Sequence, residues 1–302
     1  MSDAHHLHFH LEPDLRQAAA LGEHPFIAKM ALVLESAGFR VEYRDHGDTD
    51  RSNDTYVLSH MKPPPEKRGL VFRRVYEYPF WQIDGSAQRW EWDVAKSVFD
   101  PALISGPEAA QFYEFWQKRQ YQNAPRTTSR DGFVYIPLQG HLTEHRSFQS
   151  CSPIAMVEHC LAHDKTRQVI ATIHPTETYT DTEIAALEAL ERKYPRLRVD
   201  VGDMIPLLQT CDYVVSQNSS VAFAGYFFGK PALLFGDIDF HHIAVRADMD
   251  RLADSFAQVQ THRPDYAKYL YWFWQDQSIN AGRDDVYGKI AARFRRFDWP
   301  ID

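Results

Sequence analysis

Three short polar segments in the second half of the chain place chemically capable residue types at close spacing. The first is Ser216-Gln217-Asn218-Ser219-Ser220, which stands directly before an apolar helical run. Asn218 or Ser219 can cap that helix. A helix N-terminus offers free backbone N–H groups and a partial positive charge, which favour an anion such as phosphate. The hydroxyls of Ser219 and Ser220 would add donors, although capping alone also accounts for these residue types. The second segment is His174-Pro175-Thr176-Glu177-Thr178. Pro175 fixes its own φ and biases His174 towards extended backbone, which would aim the imidazole at a crevice. Such a ring can neutralise a leaving phosphate; a buried histidine satisfied by its neighbours is the structural alternative. The third segment is Gln139-Gly140-His141-Leu142-Thr143-Glu144-His145-Arg146. Gln139, Gly140 and His141 are candidate substrate-binding residues. Glu144 is the first candidate for the acid–base catalyst, its pKa raised by partial burial, unless Arg146 holds it in an ion pair. Asp84, in Ile83-Asp84-Gly85-Ser86, is the second candidate, although Asp-Gly is usually a turn.

The elements that must position these residues follow from periodicity. The spacing predicts strands over 133–138, 168–173, 197–201, 213–216 and 231–235. Helices are predicted between them, over 153–162, 181–193, 204–209 and 219–228. Strands alternating with helices at this spacing form a parallel sheet with right-handed crossovers. Ligands of such sheets bind beyond the carboxyl ends of the strands, where all three polar segments fall. The first half is less regular. A strand at 7–11, a helix through Phe26, Ile27, Met30, Ala31, Leu34 and Ala37 closed by Gly38, and a strand at 39–43 predict a βαβ start. Residues 45–54 read as a polar loop, 56–59 and 70–75 as strands, and 109–121 as a helix. The polar stretch 123–132 contains Pro and Gly and reads as a linker. The expected domains are 1–125 and 126–302, both α/β and Rossmann-like, the second ending in closing helices.

Composition sets the outer limits. The chain has 302 residues, 44% hydrophobic and 25% charged, which is ordinary globular usage for about two domains. A formal net charge of −8 argues against nucleic acid as a partner. Three widely spaced cysteines with no CxxC suggest neither a zinc ribbon nor a redox motif. The start, MSDAHHLHFHLEPD, lacks a cationic then apolar leader, and no run approaches 18 apolar residues. A cytoplasmic placement is the expectation. GxGxxG, GxxxxGK[ST] and GxSxG are all missing, so a dinucleotide fingerprint, a P-loop and a hydrolase elbow have no support.

Residues 212–222 (DYVVSQNSSVA) and 228–236 (FGKPALLFG), with Pro137-Leu138-Gln139 and His174-Pro175, resemble the nucleotide-binding domain of GT-B glycosyltransferases. The pattern is most similar to bacterial capsule polysaccharide biosynthesis proteins of the 3-deoxy-manno-octulosonic acid (Kdo) transferase type. It covers roughly 133–243. The resemblance implies transfer of a sugar, with CMP-Kdo the favoured donor, to a glycan or glycolipid acceptor, without an obligatory metal or other cofactor. By the same resemblance His174, Ser219 and Ser220 would hold the donor phosphate, Gln139 would line the cleft, and the first domain would bind the acceptor; the residues themselves add Asn218 to the phosphate site. The acid that soon follows Gln in those transferases arrives late here, at Glu144. The acidic-acidic-Gly motif of sialyltransferases keeps one acid, at Asp84.

Two other classes are weighed against this one. A degenerate, non-catalytic GT-B partner that binds sugar or nucleotide would tolerate the late acid. A metal-dependent hydrolase would use His8 and His10, which share one side of a strand and can act as a metal pair; the histidine-rich start is otherwise a solvated tail. Near the C-terminus, 266–274 and Arg293-Phe294-Arg295-Arg296-Phe297 mix rings and cations. Such segments can rest on an anionic inner membrane face or simply pack as closing helices.

Overall fold

The computed structural model of the chain describes residues 5–48, 55–64 and 68–301. The predicted loop at 45–54 lies outside them from residue 49 onward. The chain divides into two units, Met1–Ser97 with Trp272–Asp302, and Val98–Tyr271. The division falls at Ser97, so the 123–132 stretch lies inside the second unit and the last thirty-odd residues belong to the first.

The first unit begins as the alternation at its start predicts. β1 (His5–Leu11) buries Leu7, Phe9 and Leu11 on one face and His8 and His10 on the other. The helix Pro25–Ser36 covers the apolar face with Phe26, Ile27, Met30, Ala31 and Leu34. His24 caps it, its Nδ1 accepting the Ile27 N–H at 3.2 Å. Gly38, at φ +87°, takes the left-handed turn that ends it. β2 (Phe39–Asp45) then runs parallel to β1. β3 (Tyr56–His60) pairs with the other edge of β1, also parallel. β4 (Gly69–Arg74) follows in parallel, and β5 (Phe80–Asp84) turns back antiparallel. The chain thus leaves β1 towards β2 on one side and resumes at β3 on the other, which makes a topological switch point at β1.

The second unit is all parallel. Its strands are β6 (Phe133–Pro137), β7 (Gln168–Ile173), β8 (Leu197–Val201), β9 (Tyr213–Ser216), β10 (Ala232–Leu234) and β11 (Val245–Arg246), in the order β11-β10-β9-β6-β7-β8. Every residue of β6 and β9 is buried, as expected for strands with both faces covered. The predicted strands and helices of this half recur within two residues at each end. Here the switch point falls between β6 and β9.

Charged hydrogen bonds tie the amino ends of five of these strands together. Asp164, just before β7, accepts the Tyr213 hydroxyl at 2.6 Å and Arg167 Nη1 at 3.0 Å. Arg167 Nε reaches Asp212 at 2.5 Å, and Asp212 accepts the Gly132 N–H before β6 at 3.0 Å. Arg196, before β8, donates to the carbonyls of Leu161, Asp164 and Arg167. Lys230, before β10, is buried and donates to the carbonyls of Ser129 and Cys211. The lysine of the Gly-Lys-Pro run is therefore a structural cation.

After the second unit the chain returns to the first. The two-residue strand β12 (Ile279–Asn280) adds antiparallel to β5. The helix Val286–Arg296 buries Val286, Ile290 and Phe294 in the first unit's core, with Trp299 and Ile301 beyond it. Phe294 is fully buried, and Arg293 and Arg296 pair with Asp93, so this basic-aromatic segment packs within its own unit. Among the described residues, no helix is long and apolar enough to cross a membrane.

Arg167→Met should unpair Asp164 and Asp212 at once. Breaking a buried pair from one side costs about 3–5 kcal/mol, so denaturant melts should show a loss of that order. Arg192→Met, at the exposed pair with Glu188, should cost less than about 1 kcal/mol.

Candidate functional site

The carboxyl ends of β6 and β9 form a small pocket lined by Gln139, Arg146, Ser216, Gln217 and Asn218, among others. Two of the three predicted segments meet here. The Ser219 side chain caps the helix Ser220–Phe227, accepting the Val221 N–H at 3.3 Å. The Ser219 N–H donates to Ser216 Oγ at 3.0 Å, which folds the segment tightly over the end of β9. Ser219 is buried and occupied by capping, whereas Asn218 is half-buried and Ser220 exposed.

Among the described residues, three buried polar atoms in this neighbourhood have no hydrogen-bond partner: Arg146 Nε, Gln149 Nε2 and Gln217 Oε1. The other amide atom of each glutamine is bonded. Gln217 Nε2 donates to the Cys151 carbonyl at 2.9 Å. Gln149 Oε1 accepts the Arg146 N–H at 2.8 Å. The Arg146 guanidinium lies over the Phe148 ring at 4.8 Å. Both glutamines are about 94% buried, being 6% exposed. Leaving such groups unpaired costs about 1–3 kcal/mol each, so the set has hydrogen-bonding capacity for a polar partner. Gly236 permits the arrangement. A Cβ there would come within 3.0 Å of the Gln217 carbonyl oxygen and 3.3 Å of that of Phe148.

The His-Pro segment follows β7, beside β6. His174 is exposed and sits in a turn, its Nδ1 accepting the Thr176 N–H at 3.3 Å. That bond leaves the hydrogen of the neutral ring on Nε2, a donor suited to an anion. Gly140 brings the Gln segment against this turn: a Cβ on it would lie 3.1 Å from Glu177 Oε2. Glu183 pins the same segment. Its carboxylate accepts the Thr180 N–H and hydroxyl, both at 2.9 Å, and the Leu142 N–H. One residue thus completes the capping box of the helix Asp181–Lys193 and anchors the Gln loop.

The two acid–base candidates have different surroundings. Glu144 is exposed and pairs with His141 at 3.0 Å, not with Arg146. Asp84 lies in the first unit and is buried. Its oxygens accept the N–H groups of Gly85 at 2.8 Å and Asp93 at 3.0 Å, and Arg293 Nη2 at 2.5 Å. That bonding makes Asp84 an anchor for the returning C-terminal helix. His8 and His10 share one face of β1, as predicted, with ring centroids 6.4 Å apart. Among the described residues no group of three His, Cys, Asp or Glu side chains is placed to hold a metal ion. The pair is buried in a strand and is not part of a solvated tail.

Sequence reasoning missed Gln149 and Gln217 and took Arg146 only as a partner for Glu144. The polar run 145–150 was a visible signal, but its meaning depends on Gln149 bridging to Gly236.

The fold that these two switch-point sheets define is the two-unit α/β fold of GT-B glycosyltransferases. Among solved structures, the chain is similar to the Thermosulfurimonas dismutans KpsC β-Kdo 2,7 transferase. The TM-score is 0.53 at 12% identity, covering 87% of this chain and 88% of that one. The KpsC β-Kdo 2,4 transferase of the same organism aligns with a TM-score of 0.49 at 13% identity, covering 88% and 89%. No family model and no curated protein sequence matches the chain.

Glu183 supplies a test of the loop anchor. The Thr180 N–H, then the Thr180 hydroxyl and the Leu142 N–H, hold its carboxyl below the usual carboxylate range against the effect of burial. A depressed carboxylate stabilises the fold above its unfolded pKa, and that contribution disappears as pH falls through the folded value. Glu183→Gln should therefore lower the melting temperature at pH 7. The gap from wild type should shrink below about pH 4, near the ordinary Glu pKa, in thermal melts run across pH.

Proposed function

We propose that the chain is a glycosyltransferase that moves a sugar from a nucleotide donor to a glycan or glycolipid acceptor. The donor would bind at the carboxyl ends of β6 and β9. The observation that carries this reading is the set of unpartnered buried atoms of Arg146, Gln149 and Gln217 beside the N-terminus of the helix Ser220–Phe227. Arg146 and the helix N-terminus favour an anionic group. Gln149 Nε2 and Gln217 Oε1 supply one donor and one acceptor for a base or sugar edge. Asn218 and Ser220 extend the site, Gln139 and Gly140 line its β6 side, and His174 Nε2–H would stabilise a leaving phosphate. These groups provide charge stabilisation from the protein itself, without an added cofactor. CMP-Kdo is the donor we favour, on the resemblance of the sequence motifs and the fold shared with a Kdo transferase.

Thermal stability against CMP, CDP, UDP, GDP, ADP and NAD tests this reading, because a ligand that binds only the folded chain raises its midpoint. CMP should give the largest shift. Arg146→Gln should weaken binding by about tenfold or more, since a hydrogen bond to a charged group contributes about 1.5–3 kcal/mol. His174→Ala should abolish transfer while the fold melts normally. A shift with UDP or GDP in place of CMP would overturn the Kdo assignment alone. No shift with any nucleotide would overturn the donor site.

A further inference from the structure

A cavity built from the first unit alone lies at the edge of its sheet opposite the strand ends where ligands of open α/β sheets bind. Tyr56 opens β3, and Gly69 and Leu70 open β4. Gly85 follows β5, which runs antiparallel to β4, so it stands at the same amino-end edge. Phe297, Asp298 and Trp299 join them from the end of the helix Val286–Arg296. With Arg68, these residues line a volume of about 420 Å³, inside the range of about 300–1,000 Å³ usual for small-molecule sites.

Two side chains of opposite charge line this cavity. Among the described residues neither Arg68 nor Asp298 has an ion-pair or side-chain hydrogen-bond partner. The exposed Arg68 guanidinium lies over the Tyr56 ring, 5.3 Å from its centroid. That pose occupies one flat face and leaves the N–H edge for a planar anion, which it can hold through two parallel bonds. Asp298, two residues past the helix, sits at φ +58° with its N–H on the Arg295 carbonyl at 3.0 Å. Glycine takes this left-handed position at least cost. An aspartate here costs stability and sets a carboxylate, an acceptor for hydroxyls, in the cavity wall. Phe297 is half-buried and Tyr56 and Trp299 are buried, so their rings supply an apolar wall.

We propose that this cavity is a binding site for a sugar residue that carries one carboxylate. The carboxylate pairs with Arg68, the ring hydroxyls donate to Asp298, and the apolar C–H face of the sugar packs on the aromatic wall. A phosphate fits worse. Asp298 and the partial negative charge of the helix C-terminus both oppose a second negative charge on the ligand. The site uses none of the residues of the proposed donor site, needs no turnover, and does not rest on the transferase reading.

Saturation-transfer NMR titrations of the whole chain with free glucuronate, free Kdo, glucose and CMP test the site, alongside thermal melts of each variant. Glucuronate and Kdo should bind, and glucose should bind about tenfold more weakly or worse. Arg68→Gln should weaken both acid sugars about tenfold or more, the usual effect of losing a hydrogen bond to a charged group. Arg68→Lys should recover only part of that, because it keeps the charge without the fork. Asp298→Gly should melt no lower than wild type, since glycine suits φ +58°, yet weaken the same sugars about threefold or more. Equal affinity for glucose and glucuronate overturns the site. So does acid-sugar binding that is unchanged in both Arg68→Gln and Asp298→Gly, or the absence of binding by wild type. CMP that displaces glucuronate from wild type and no longer binds Arg68→Gln overturns the sugar assignment in favour of a nucleotide. None of these results bears on Arg146, Gln149 or Gln217, so the donor site is judged by its own nucleotide shifts.

Discussion

The second unit depends on a row of charges along one edge of its sheet. Arg167, held between Asp164 and Asp212, stands at the middle of that row, with Arg196 and Lys230 at its sides. Parallel strands supply no hairpins to set their stagger, so their relative positions must be fixed at an end. Here the fixing occurs at the amino ends, through side chains that reach backbone groups of neighbouring strand starts. The carboxyl ends are left to short polar turns, which carry the unpaired groups of Arg146, Gln149 and Gln217. The stabilising charges and the proposed donor site thus occupy opposite edges of one sheet.

The first unit solves the same problem differently. Its sheet is mixed, and its last strands run antiparallel. Asp84 and Asp93 receive Arg293 from the returning helix, so a buried carboxylate at a strand end serves assembly. Its carboxyl-end edge keeps the histidines. His60 and His46 flank Glu12, and the lowered proton affinity of His60 arises from burial beside an apolar ring. A carboxylate locked among several donors and a carboxylate facing two imidazoles have different surroundings, although sequence alone presents both as isolated acids.

Much of the second unit was legible in the sequence because each of its elements is local. The run from Tyr213 to Gly236 spells strand, cap, helix, stop and strand in order, and the switch-point rule then located the pocket. The βαβ start of the first unit was legible for the same reason, through Leu7, Phe9, Leu11 and the Phe26–Leu34 face. What stayed hidden depends on register. Glu12, His46 and His60 stand at the carboxyl ends of three strands, β1, β2 and β3, whose pairing no spacing reveals. The partner of Asp84 lies more than two hundred residues away, at Arg293. The unit boundary was hidden too: β12 is two residues long and carries no periodicity, and the polar 123–132 stretch looks like a linker while lying inside a unit.

The return of residues 272–302 to the first unit has a consequence for the order of synthesis. Trp274 stacks on Phe80 at 4.6 Å and donates its indole N–H to the Val75 carbonyl at 3.0 Å. Phe294 and Trp299 enter the first unit's apolar core with Leu7, Phe9 and Trp81. On a ribosome, where domains fold as they emerge, the continuous Val98–Tyr271 segment can close as soon as it is out. The first ninety-seven residues must wait, with an uncovered apolar face, for the last part of the chain to appear. The half made first is finished last, so its unfinished state is the one in which a nascent chain would most need protection.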